Sequence, residues 1–127
     1  MAHFSKHFTL DEANALLPHV LSVFEQIHSI REELSHRQEE LERLHKAFPG
    51  NGGDKTGAEL VSFSESVARL VSGLEEKGVM VKDVDTGLCD FPYIRDGEEV
   101  FLCWKIGEKT IGFWHDIESG FRGRQPL

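Results

Sequence analysis

Apolar residues return every seven positions through the first half of the chain. Val20, Ile27, Leu34, Leu41 and Phe48 form one row, and Val23, Ile30 and Leu44 occupy the second heptad position, with Arg37 the one break. This seam over four heptads predicts a helix from His19 to Phe48, about 45 Å long at 1.5 Å per residue. The stretch "REELSHRQEELERLHK" fills the positions between with charge. Such a rod cannot bury its far end on a small globule and must pair with another helix. Its start is legible in "TLDE": Thr9 at the N-cap and Glu12 at N3 predict a capping box, and Asp11 favours the positive helix end. Pro18 predicts a kink, or a division into a short and a long piece.

"PGNGGDKTG", residues 49–57, reads as a loop. A second helix is predicted over Ala58 to Lys77, with Leu60, Phe63, Val67, Leu70 and Leu74 on one face and Gly78 just past its end. The two make an antiparallel hairpin. The second helix is shorter by about a third, so the first overhangs or meets a partner subunit.

At Gly78 the period changes from helical to alternating. "VMVKDV", "GLCDFPYI", "EVFLCWKI" and "TIGFWHDI" predict strands, and Asp-Gly inside "RDGE" (Arg95–Glu98) predicts a two-residue hairpin turn. "GEKT" (Gly107–Thr110) reads as a second tight turn. The expected fold class is α+β: a long, coiled-coil-like antiparallel helical hairpin followed by a three- to four-stranded antiparallel β-meander. One domain spans 1–127, with the hairpin at 9–77, the meander at 78–118 and a tail at 119–127.

The turns fix the expected faces. Pairing Arg95 with Glu98 sets Asp90 opposite Cys103, and pairing Gly107 with Thr110 sets Cys103 opposite Trp114. One face then carries Cys89, Phe91, Tyr93, Val100, Leu102, Trp104, Ile106, Ile111, Phe113 and His115, and should pack on the helices. The other carries Asp90, Pro92, Phe101, Cys103, Lys105, Gly112, Trp114 and Asp116, a mixed surface suited to a ligand or a subunit contact. Cys89 and Cys103 face apart, so no disulfide joins them.

Charge narrows the partners. The chain has 127 residues and a formal charge of −8. That balance argues against nucleic acid and anionic membranes. There is no apolar run long enough to span a bilayer, and no basic region followed by an apolar one at the N-terminus. Two cysteines without a leader fit the cytoplasm.

Asp90, Cys103 and His115 are ligand types that suit zinc. In the favoured register His115 points away from the other two; a three-residue loop at Gly107–Lys109 would slip the register by one and bring all three to one face. No CxxC or HExxH spacing is present. Cysteine catalysis is thin for the same reason, and a neighbouring carboxylate disfavours the thiolate. His19, His28, His36 and His45 drift round the first helix as solvated positions, and nothing fixes His3 or His7. Glu98–Glu99 and Asp83/Asp85 read as solvated edges. Arg122 and Arg124, among glycines, would hold an anion or the protein's own acids, and Phe121 and Leu127 suggest that the tail docks.

"FTLDEANALLP", "NGG", "GVMVKDVDTGLCDFPYIRDGEEVFLCWKIGE" and "IGFWHDIESGFRGR" together resemble the bacterial family DUF2203 over nearly the whole chain. The matching positions are Asp90, Phe91, Pro92, Arg95, Leu102, Cys103, Trp104, Gly107, Glu108, Trp114, His115, Gly120, Phe121, Gly123 and Arg124. The resemblance implies prokaryotic origin and supplies no activity, cofactor or catalytic residue.

Two functions are expected from the residues. The first is a non-enzymatic interaction or scaffold module that self-associates through its long helix, as a homodimer or with a protein partner. The alternative is a metal- or small-anion-binding protein or enzyme with a site on the meander, drawn from Asp90, Arg95, Cys103, Glu108, Trp114, His115, Arg122 and Arg124. No cofactor is required, although a divalent metal such as zinc would suit Asp90, Cys103 and His115.

Overall fold

The computed structural model describes residues 4–48 and 53–127, the side chains of 53–56 excepted. The expectations for His3 and for the loop residues 49–52 lie outside them. Helix α1 spans Leu10–Ala47 and helix α2 spans Gly53–Glu76. Strands β1 (Met80–Asp83), β2 (Leu88–Arg95), β3 (Glu98–Trp104), β4 (Phe113–Asp116) and β5 (Gln125–Pro126) form one antiparallel sheet in sequence order. The α+β class, the helical pair and the meander are as expected. The tail adds the fifth strand.

The start of α1 is the capping box. Glu12 N–H donates to Thr9 Oγ1 at 3.1 Å, and Thr9 N–H donates to Glu12 Oε1 at 2.9 Å. Pro18 neither divides nor ends the helix, which runs through it as one element of 38 residues. Pro18 itself is exposed, so its ring does not disturb the face packed on the sheet. α2 begins at Gly53, earlier than the expected Ala58; the first N–H groups of a helix have no ladder partners in any case. Gly78 (φ 96°) ends it in the left-handed conformation, its N–H bonded to the Glu75 carbonyl at 2.9 Å.

The helix lengths have a plain explanation. Arg37 pairs with Glu59 across the hairpin at 2.8 Å. α1 runs 28 residues from Arg37 back to Leu10, whereas α2 runs 18 from Glu59 to Glu76. The extra turns of α1 lie at the sheet, where Ala13 and Leu17 are buried and Asn14 Oδ1 accepts from Ile111 N–H at 2.8 Å. The core joins Ala13, Leu17, Val20, Val23, Phe24 and Ile27 of α1 and Leu74 of α2 to Phe91, Leu102, Trp104 and Trp114 of the sheet. Away from the sheet the seam opens. Leu34 and Leu41 are half-buried, while Leu44 is 56% and Phe48 61% exposed.

The sheet confirms one expected register and corrects the other. Asp90 opposes Cys103 and Arg95 opposes Glu98, around an Asp96–Gly97 turn with both φ positive (52° and 81°). Between β3 and β4, however, Cys103 opposes Phe113, Leu102 opposes Trp114 and Phe101 opposes His115. Residues 105–112 form a longer loop in place of a two-residue turn at Gly107–Thr110. It is held by Glu108: its Oε1 accepts from Lys105 N–H at 3.0 Å, and its carbonyl accepts from Trp104 Nε1 at 2.8 Å. A one-residue slip exchanges faces along the whole of β4. Trp114 therefore goes under the helices, while Phe113 and His115 turn to the opposite, outer face.

Candidate functional site on the outer face of the sheet

The slip has a chemical consequence. Asp90 on β2, Cys103 on β3 and His115 on β4 now share the outer face, and their ligand-type atoms all lie within 4.8 Å of one another. None of the three is more than 3% exposed. Cys103 sits directly across from Asp90 in the ladder, and His115 is one step along on the next strand.

Each side chain is fixed. His115 Nδ1 lies 2.8 Å from the carbonyl oxygen of Asp116, and Nε2 lies 3.0 Å from Asp90 Oδ1. The imidazole leans on the Phe101 ring, with centroids 5.4 Å apart. The Cys103 thiol is pushed up to about 12, first by desolvation, then by the Asp90 charge, against the opposing pull of Arg124; the Asp90 side chain also accepts its hydrogen bond. Cys89, buried on the helix side, is likewise pushed up to about 12, mainly by desolvation. Both cysteines are free, in keeping with their opposite faces.

The tail completes the surroundings. β5 pairs with β4 through Gln125–Trp114 and Pro126–Phe113, which places extended Arg124 beside His115. Its guanidinium bonds Glu108 Oε2 at 2.5 Å and lies 3.9 Å from the Phe113 ring centroid and 4.6 Å from that of Phe121. The Arg124 side chain is largely buried, so the ion pair is anchored from both sides. Of the expected site residues, Asp90, Cys103, His115, Glu108 and Arg124 thus gather. The other three do not. Arg95 extends on the helix side to stack on Trp114, 4.2 Å from the ring centroid; Trp114 itself is in the core; and Arg122 is exposed on the tail.

The N-terminal segment adds residues that the sequence left out. Phe4 packs on Phe101 with centroids 5.3 Å apart, and Phe8 N–H donates to the Pro92 carbonyl at 2.8 Å. His7 Nε2 lies 2.6 Å from Glu99 Oε2, which also accepts from Phe4 N–H. His7 is therefore held, and Glu99 is not a solvated edge, contrary to expectation. Nothing in the local pattern signals this, because Phe4 and Glu99 are 95 residues apart. The helical histidines behave as expected: His28 and His36 are exposed and face Glu32 and Glu40 one turn on.

A helical hairpin laid against one face of an antiparallel meander, with a sealed acid–thiol–imidazole cluster on the other, defines the class of protein. The chain belongs to the DUF2203 family, described as an uncharacterized conserved protein, whose model matches residues 6–127. Comparison with curated proteins and with solved structures finds no match. No helix among the described residues is long and apolar enough to cross a membrane.

Proposed function

We propose that the protein is an interaction module that self-associates through the far half of its helical arm. One observation carries this reading. Leu44 of α1, Phe48 at its C-terminal cap, and Leu60 and Val61 of α2 are all at least 44% exposed, around the end of a seam whose other end is buried. Large apolar side chains grouped on one projecting element mark a contact surface. The unequal helix lengths lend no support, since the sheet takes up the difference. Charge favours a second copy over a strongly charged partner: Glu32, Glu33, Glu39, Glu40 and Glu42 alternate with Arg31, Arg37, Arg43 and Lys46 along α1, so two arms present mixed signs to each other.

Size-exclusion chromatography with light scattering tests the proposal. The expected mass is that of a dimer, reduced to a monomer by the double change Leu44→Asp and Leu60→Asp with the far-ultraviolet circular dichroism retained. A wild-type protein that stays monomeric as its concentration is raised overturns it.

A second reading, a ligand centre on the outer face of the sheet, is favoured by the convergence of Asp90, Cys103 and His115.

A further inference from the structure

The geometry points to a divalent-cation site of the zinc class, made by Cys103 Sγ, His115 Nε2 and an Asp90 carboxylate oxygen; a tetrahedral ion takes one donor more.

The orientation of His115 is the first argument. The Asp116 carbonyl, 2.8 Å from Nδ1, can only accept, so Nδ1 carries the hydrogen. In the neutral ring Nε2 then presents a lone pair, and it faces Asp90 Oδ1 at 3.0 Å, which is also an acceptor. Two acceptors at that separation need a cation between them, either a proton or a metal ion. A backbone carbonyl on one nitrogen and an open lone pair on the other is how zinc-binding histidines are held.

Distance is the second argument. Bonds of about 2.0 Å to nitrogen and about 2.1 Å to oxygen at a tetrahedral angle place those two atoms about 3.3 Å apart. The His115–Asp90 pair needs to open by only a few tenths of an ångström, and Cys103 Sγ lies within 4.8 Å of both atoms.

Charge and donor chemistry agree with this. A thiolate and a carboxylate together match a divalent ion, and the neighbouring Glu108–Arg124 pair is neutral as a unit. Without an ion, the His115–Asp90 contact can offset the buried carboxylate only by holding a proton, and a Cys103 thiolate beside that carboxylate is disfavoured. Sulfur and nitrogen donors select a borderline ion over magnesium or calcium, which take oxygen. Phe101 and Phe113 on the same face supply the apolar shell that keeps such a centre dry. Binding is an exchange: the ion enters, and the thiol proton, with any proton held between His115 and Asp90, leaves to solvent.

The test is independent of the arm. Full-length protein without a histidine tag is stripped with chelator and titrated with Co²⁺, then with Zn²⁺. The expected result is one equivalent of Co²⁺ bound, with a thiolate-to-cobalt charge-transfer band and intense visible bands of a tetrahedral ion, all displaced by Zn²⁺. The charge-transfer band persists in Cys89→Ser and disappears in Cys103→Ser, and Asp90→Asn weakens affinity by more than about 100-fold. A folded wild-type protein with no such band overturns the proposal, as does a band that survives Cys103→Ser. The wild-type titration decides even if a variant does not fold.

Discussion

Gly87 and Gly97 both hold a positive φ, 67° and 81°, yet only Gly87 of the two is crowded: a Cβ there would run into the Ile106 side chain, whereas nothing lies within 4 Å of one at Gly97. Gly97→Ala is expected to cost about 1 kcal/mol from left-handed backbone alone, and Gly87→Ala about 2–3 kcal/mol with the contact added. Urea denaturation of the two variants checks the difference; equal costs mean that Ile106 moves aside freely. At the same scale the cysteines make a pH prediction. With both thiols of the metal-free protein pushed up to about 12, both stay protonated at pH 8, so the chelator-stripped native protein should leave a thiol reagent nearly uncoloured until denaturant releases two equivalents. Rapid labelling of the native chain would contradict their burial. Asp90, Cys103 and His115 were legible in the sequence as ligand types. What was not legible was that they meet, because a side chain's face depends on a register set elsewhere.

That register is decided by elements. The Asp96–Gly97 hairpin was readable because two residues with positive φ dictate the turn, and the ladder on either side follows. The loop at 105–112 has no such local code. Its shape comes from the Glu108 side chain and carbonyl closing back on Lys105 and Trp104, and a side chain that bonds its own loop imitates a tight turn in sequence. The capping box of α1 was equally readable, its partners lying three residues apart. Thr9→Ala is expected to cost about 1 kcal/mol in thermal or chemical unfolding. The bonds from Thr9 hold the Glu12 carboxyl below its ordinary 4.5. The folded value being the lower, this contribution is complete above the unfolded value and fades as pH falls through the folded one. Acid titration of stability should therefore show less loss below pH 4.5 for Glu12→Gln than for wild type; parallel curves would mean that the cap is not formed in solution.

At the scale of the whole molecule, one polar side chain ties the two layers together. Asn14 Oδ1, on the first turns of α1, accepts from the backbone of Ile111, 97 residues away and just before β4 begins. Asn14→Leu leaves that buried N–H unpaired and is expected to cost about 1–3 kcal/mol in urea melts; a neutral change would show that the bond contributes nothing net. Periodicity could show that α1 lies on the sheet, since the buried row from Ala13 to Ile27 is written in its spacing, but not that this asparagine reaches the loop that sets β4. The far end of the arm was legible as a seam and illegible as a surface, because a heptad repeat looks the same whether or not anything covers it.

β5 has a consequence for how the molecule keeps its own company. An open sheet border offers unpaired amides to any extended chain that drifts against it. Here the border strand is two residues long, and one of them is Pro126, which has no amide hydrogen to give. A stray polypeptide arriving there finds almost no rung to climb, so this side of the sheet is closed to fibrillar stacking by the chemistry of a single imino acid.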